Sequence, residues 1–500
     1  MLQVEPGIVI PTDETDTTRR TGESLFAFHH ADVLGTRMEL RIKAADRDAA
    51  LSAARQAHSE ILRLSGVFNW RDERSELSRL NANEWHQASP DLFSVVAAAE
   101  RWRILSHDGY SPRLGILLGV WRAADVLPDR ERIAALAAEV MAAQVELDAE
   151  SRAIVRPAEV KFDLDGMAKG YIVDRALQAA MSSPGVTGAM LDIGGDIGMT
   201  GEAPDGEGWR VGLPDPLLPF ENAPLLGCLS LSNRAIATSG CGPRDRKVAG
   251  RTVGSTLDPR TGWPVEHRRA ATAIATTAMD ADALATAMLV LAREEALACV
   301  EEMPGAMARI AEPGVSSWLT GRVQPAPIRW APFFPQASQA RQQLGPAWTP
   351  GWIANITFSA PPKNMRMERA FRSPYVAIWV SDAENQPIRT LMLIGSIKEW
   401  QEDNYIWWGL NRSNTQKMLD GRSMSTRGSG TYKVYWDGSN DDGLQMPAGK
   451  YIVHIETSRE RGKHTHRTLE LDLSKPKQFE TELPVDVDGG SLLVEFRKFG

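Results

Sequence analysis

The sequence predicts an α+β domain over residues 25–322 and an all-β sandwich domain over 351–500. Three observations predict it. Up to Arg322, runs that alternate polar and apolar residues are interleaved with Ala-rich runs of helical period, the patterns of half-buried strands and amphipathic helices. Between 323 and 350, Gln324-Pro-Ala-Pro-Ile-Arg-Trp-Ala-Pro-Phe-Phe-Pro-Gln336 and the Gln- and Ala-rich sequence after it read as a Pro-rich linker. Beyond the linker, short alternating runs recur without a long helical stretch. A chain of 500 residues also exceeds what one hydrophobic core usually serves.

In order, residues 1–24 are polar, carry Pro6 and Pro11, and read as a loose arm. Thr36 to Lys43 alternates as a strand, and Asp46 to Leu64 has helical periodicity. Val67 to Asn81 follows, with Trp70 and the run Ser75-Glu-Leu-Ser-Arg-Leu-Asn81. Leu92 to Ser106 reads as an amphipathic helix that ends in Ser106-His-Asp-Gly-Tyr-Ser-Pro112. Arg130 to Ala143 is a further helix, and strands are expected on either side of Arg156-Pro157.

The densest stretch is Lys161-Phe-Asp-Leu-Asp-Gly-Met-Ala-Lys-Gly-Tyr-Ile-Val-Asp174. A strand is expected to end on Asp163, a turn at Gly166, and a helix to start near Ala168, because Ala168, Ile172, Ala176 and Ala180 recur at helical spacing. That places Asp163, Asp165 and Lys169 on one corner, where the backbone N–H groups at a helix start suit an anion. Taken alone, a helix N-terminus decorated with capping aspartates is the better explanation. From Met190 an apolar strand is broken by Gly194 and Gly195 and again by Gly198 and Gly201. The spacing is not the G-x-G-x-x-G dinucleotide fingerprint, and a hairpin turn accounts for Gly194-Gly195-Asp196. Later, a helix over Met279 to Leu291 puts Asp282 and Thr286 four residues apart on one face. A carboxylate plus a hydroxyl, joined by backbone carbonyls, is a hard-oxygen set suited to Mg²⁺ rather than zinc. A capping Asp and a back-bonded Thr are the alternative.

Beyond residue 351, Trp352–Phe358, Tyr375–Val380, Ile388–Leu393, Gly430–Trp436, Gly449–Ile455 and Ser491–Phe496 alternate like sandwich strands, which suggests an Ig-like fold. Charge and composition exclude several classes. The net charge of −8 leaves no electrostatic footprint for nucleic acid. Three cysteines, Cys228, Cys241 and Cys299, make neither a disulfide framework nor a metal set. No apolar run reaches transmembrane length. The N-terminus lacks a signal-peptide pattern, so the chain as written reads as cytoplasmic.

The motifs Asp163 to Asp174, Asp192-Ile-Gly-Gly-Asp196, Trp209-Arg-Val-Gly-Leu-Pro-Asp-Pro216, Ala237-Thr-Ser-Gly240, Leu257-Asp-Pro-Arg-Thr-Gly-Trp-Pro264 and Ala281-Asp-Ala-Leu-Ala-Thr286 occur in that order, preceded by Leu34-Gly-Thr36 and Ser75 to Asn81. This series resembles the FAD:protein FMN transferases of the ApbE family over roughly residues 25 to 320. The resemblance implies Mg²⁺-dependent transfer of FMN from FAD to a Ser or Thr hydroxyl of an acceptor flavoprotein, with release of AMP. It implies Asp282 and Thr286 as metal ligands, with backbone oxygens of Ala285 and the Gly166 turn. FAD would be held by Leu34, Trp70, Tyr110, Ser111, Asp163, Lys169, Gly194, Gly195 and Thr256, with Trp70 near the place of a tyrosine that stacks on the flavin. Asp282, Lys169 and Ser255 would carry the catalysis.

Two departures stand out. Tyr110-Ser111 replaces a Phe-Asp pair, and Ser255 replaces a histidine three residues before Asp258-Pro259, so that either the reaction is slow or the role passes to His267. These departures keep two other readings open: an FAD binder or FAD hydrolase without an acceptor, and a partner-binding protein with a vestigial first domain. Members of the family are often exported to the cell envelope. The run Tyr435 to Tyr451 resembles the sandwich hairpin of flagellar hook-cap proteins. Asp420-Gly-Arg-Ser-Met-Ser-Thr426 has the outline of a flavin acceptor, with Thr426 as the site or as part of a substrate mimic, although Met424 and Ser425 depart from that outline and a Ser/Gly-rich loop between strands is the simpler reading.

Overall fold

The computed structural model describes residues 24–204, 206–214, 220, 222, 225–240, 245–265, 269–312, 315–320, 329–331, 352–360, 375–394, 404–411, 423–424, 430–441, 444–458, 464–475, 477–484 and 491–498. Nearly all of the expected N-terminal arm, His267 and Thr426 lie outside the described residues.

An eight-stranded antiparallel sheet organises the first unit. Its spatial order is Ser24–Val33, Thr36–Ala44, Val186–Ile193, Asp196–Gly201, Arg234–Gly240, Ala270–Ala275, Met307–Glu312 and Val315–Thr320. Strand Thr36–Ala44 shows why it forms: Met38, Leu40, Ile42 and Ala44 alternate into the core, and their neighbours face out. The helices Arg47–Phe68, Ala168–Met181 and Ala278–Val290 share that core. On the opposite face, Met190, Met199, Ile236 and Ile274 pack against Trp209, Val211, Leu229 and Leu231 of a three-stranded sheet. The unit is therefore three layers deep, with the large sheet in the middle.

The expected helices are present with shifted ends, for example Arg47–Phe68, Pro90–Leu105 and Arg130–Ala142. The strand expected to end on Asp163 is reduced to a single bridge between Leu114 and Lys161. Its backbone is instead held by Asn81, whose side chain donates to Phe162 O at 2.8 Å and accepts from Phe162 N at 2.7 Å. Within the expected linker, Arg329–Ala331 pairs with Cys228 to Ser230 and completes the small sheet.

The C-terminal region is all-β apart from one short helix. Two sheets, of four and five strands, enclose a core that includes Ile356, Phe358, Ile378, Val380, Val453, Ile455, Val434 and Val494. The six expected strands are present. Three edge strands, Ser423–Met424, Thr465–Asp472 and Phe479–Pro484, were not among those expected: the second turns only Leu469 and Leu471 towards the core, and its first half is polar. Helix Tyr405–Asn411 covers the outer face of the five-stranded sheet, where Trp407 packs with Trp379 and Leu393. The buried Glu456 carboxylate fixes it by accepting from Ile406 N and Trp407 N at 3.0 and 2.8 Å. The two units touch where Asn222 accepts from Tyr435 N at 3.0 Å and donates to Tyr435 O at 2.8 Å.

Candidate active site

Two glycine-bearing hairpins emerge at one end of the large sheet. Leu34-Gly35 joins the first two strands with φ of 53° and 74°, and Gly194-Gly195 joins 186–193 to 196–201 with φ of 64° and 96°. Positive φ at both central residues is the two-residue turn that matches strand twist. The hairpins lie side by side because Met38 pairs with Ile193, and a Cβ on Gly194 would fall 2.6 Å from Thr36. Asp192 caps the second turn by accepting from Gly195 N at 2.8 Å.

That turn delivers Asp196, buried at 3 % exposure, to Lys169. Lys169, the second residue of helix Ala168–Met181, ion-pairs with Asp196 and stands 3.9 Å from Asp282 Oδ2. Helix Ala278–Val290 brings Asp282 there, and three contacts fix its start. Thr277 accepts from Asp280 N, Asp174 accepts from Ala278 N and Met279 N at 2.8 and 3.0 Å, and Asp280 accepts from Trp102 Nε1 at 2.9 Å. One turn on, Thr286 Oγ1 lies 3.4 Å from Ser239 Oγ. The Gly166 turn closes over it, since a Cβ there would fall 3.2 Å from both Thr286 Oγ1 and Tyr110 Cε2. Ala285 is buried on the same helix.

The acidic corner forms a second group. Asp163 Oδ2 pairs with Arg122 at 3.0 Å, and Asp165 Oδ2 accepts from Trp70 Nε1 at 3.1 Å. Burial, with Asp165 close by, raises the Asp163 carboxyl above its ordinary range, while Arg122 pulls it back. Tyr110 is buried beneath, and its hydroxyl finds no hydrogen-bond partner among the described residues. Burial and the carboxylates of Asp282, Asp163, Glu100 and Asp165 push its pKa well up.

The structure thus brings together Trp70, Tyr110, Asp163, Gly166, Lys169, Asp282 and Thr286, with the Leu34 and Gly194-Gly195 turns at the sheet end. Ser111 is buried beneath this group, its hydroxyl facing Met141 Sδ at 3.6 Å. Ser255 is exposed, with its amide on Asp245, and Thr256 accepts from Val265 N at 2.9 Å. These recorded partners tie both to their own loop rather than to Lys169 or Asp282. Arg122, Asp174, Asp196 and Ser239 belong to the site and were not singled out from sequence. Asp174, Asp196 and Ser239 carried a signal, since each lies within one of the ordered motifs, whereas Arg122 lies in none.

Asp163, Asp165, Asp196 and Asp282 face Lys169 and Arg122, which leaves this corner with a surplus of negative charge. Such a surplus, with the Thr286 hydroxyl beside a glycine turn, fits a hard divalent cation. Among the described residues no three His, Cys, Asp or Glu side chains form a metal cage. The fitting set is one carboxylate with a hydroxyl and backbone oxygens.

Residues 34–310 match the ApbE family. The chain belongs to that family. An FAD:protein FMN transferase of Haemophilus influenzae is 27 % identical over 52 % of this chain and 80 % of its own length. One from Vibrio cholerae is 29 % identical over 45 % of this chain and 70 % of its own. Among solved structures, the ApbE protein of Thermotoga maritima covers 59 % of this chain and 97 % of its own, at 28 % identity and a TM-score of 0.51. The apo flavinyl transferase ApbE of Pseudomonas stutzeri shares the fold at 21 % identity, with a TM-score of 0.51 over 61 % of this chain and 97 % of its own. The ApbE fold accounts for the first unit. Residues 356–487 match a family described as a predicted periplasmic protein, DUF2271. Among the described residues no helix is long and apolar enough to cross a membrane.

Proposed function

We propose that the chain is an FAD:protein FMN transferase that moves FMN from FAD to a Ser or Thr hydroxyl of an acceptor flavoprotein and releases AMP. The observation that carries this reading is the meeting of Lys169, Asp196 and Asp282 beside Thr286 and the Gly166 turn. The transferases among its relatives supply the reaction class.

Phosphoryl-type transfer asks for charge neutralisation and positioning more than for covalent chemistry. Asp282 and Thr286, with backbone oxygens of Ala285 and the Gly166 turn, would hold Mg²⁺, which supplies charge neutralisation at a diphosphate. Lys169 adds a fixed positive charge, oriented by Asp196. The Gly194-Gly195 and Leu34 turns give the dinucleotide a close backbone approach, and Trp70 offers a ring to stack on. We place the boundary between the transferase unit and the sandwich within 323–350. The match to a periplasmic family favours work in the cell envelope.

Incubation with FAD, Mg²⁺ and an acceptor protein should release AMP and leave flavin on the denatured acceptor. Chelation or Asp282→Ala should abolish both. AMP release without labelled acceptor points to a hydrolase, and flavin on the Thr426 peptide to self-modification. The absence of both products refutes the reading.

A further inference from the structure

The Trp70 ring lies between two cations. The guanidinium carbon of Arg122 is 3.9 Å from the ring centroid and that of Arg71 is 4.2 Å from it. Two guanidiniums this close to one centroid cannot share a face, since they would overlap and repel, so each covers one side. Trp70 is pinned in plane by its Nε1–H bond to Asp165 at 3.1 Å. Arg71 is exposed and pairs with none of the site carboxylates among the described residues. Arg122 is on the side of the acidic corner, because its Nη2 also pairs with Asp163 Oδ2 at 3.0 Å. Any planar ring that stacks on Trp70 from within the site must first move the Arg122 guanidinium.

We infer that Arg122 sets substrate specificity by exchange: it covers the site-facing side of Trp70, yields that face to a planar ring, and then holds the diphosphate joined to the ring. The inference rests on the proposed handling of FAD. Arg122 is suited to both positions. Its side chain is 35 % exposed and so has room to turn, and a guanidinium stacks on aromatic faces and binds phosphate in a bidentate fork. Asp163 keeps it at the site throughout. A flavin that lacks the diphosphate displaces Arg122 without recompense, whereas a dinucleotide recovers the interaction. The exchange thereby discriminates FAD from riboflavin, which a bare tryptophan platform does not.

Riboflavin and ADP test the two halves separately, by fluorescence and calorimetric titration of the full chain. Arg122→Ala should bind riboflavin about tenfold more tightly and ADP about tenfold more weakly than the wild type. Arg122→Lys, which keeps the charge but not the planar face, should tighten riboflavin while leaving ADP near the wild-type affinity. It also serves if the alanine variant fails to fold. Arg71→Ala should change neither. Unchanged affinities in both Arg122 variants, or tightening of riboflavin by Arg71→Ala instead, overturn the inference. If the wild type still transfers FMN in that case, the proposed function stands. A wild type that binds neither FAD nor ADP overturns both.

Discussion

Gly170 sets how closely the two site helices approach, and its replacement by alanine gives a demanding test of the site. The residue follows Lys169 and meets Ala278 and Met279, the first turn of the helix that carries Asp282 and Thr286. A Cβ on Gly170 would fall 2.2 Å from Ala278 O, 2.5 Å from Ala278 C and 2.6 Å from Met279 N. Ordinary contact begins at 3.4 Å, so Gly170→Ala must part the helices by about 1.2 Å. All three atoms are backbone, and Asp174 on the same helix clamps the Ala278 and Met279 amides, so no side chain can swing aside. Overpacking of this kind costs about 3 kcal/mol, against which the helix propensity of alanine returns about 1 kcal/mol. The balance of about 2 kcal/mol lowers Tm by roughly 4–8 °C. Parting Lys169 from Asp282 by about 1 Å should cost about 100-fold in transfer rate. Thermal unfolding and AMP release read the two effects. Gly119→Ala is the control: its Cβ meets nothing within 4 Å, and it should be neutral or stabilising by about 1 kcal/mol. A Gly170→Ala protein with the wild-type Tm and rate would refute the close-packing argument.

Two further outcomes follow from burial. Tyr110→Phe removes a buried hydroxyl that has no hydrogen-bond partner among the described residues. The ligand-free variant should melt at or above the wild-type Tm, with a gain of up to about 2 kcal/mol. A lower Tm would mean that the hydroxyl is satisfied. Burial raises the Asp174 carboxyl from its ordinary 3.8 to about 6, against the pull of the Ala278 and Met279 amides. The folded state therefore binds the extra proton between those values, and stability present below pH 3.8 is lost as pH rises through about 6. The loss is up to about 3 kcal/mol. Urea unfolding of the wild type and Asp174→Asn from pH 4 to 7 should show the wild type losing ground to the variant as pH rises. A constant difference would contradict the assignment.

Much of this protein was legible because its signals are local. The alternation of Met38, Leu40, Ile42 and Ala44, the helical spacing of Ala168, Ile172, Ala176 and Ala180, and the four-residue step from Asp282 to Thr286 are properties of single elements. Backbone geometry fixes which side chains share a face. The Gly194-Gly195 turn was legible for the same reason, since both residues take positive φ. Edge strands such as Thr465–Asp472 were missed because their apolar signal is short, here Leu469 and Leu471 alone.

What only the tertiary structure decided are the pairings between distant segments. Lys169 meets Asp196 and Asp282 across 27 and 113 positions, Asp174 clamps a helix start 104 positions away, and Arg122 lies on Trp70 although neither position marks the other. Ser111 and Ser255 show the converse, since equal motif standing in the sequence became burial against Met141 for one and exposure on a loop for the other. The physical reason is that a residue's type and period state which chemistry it offers and which face it occupies. Which group meets it there depends on sheet order and on how closely helices pack, and those are set by the whole core at once.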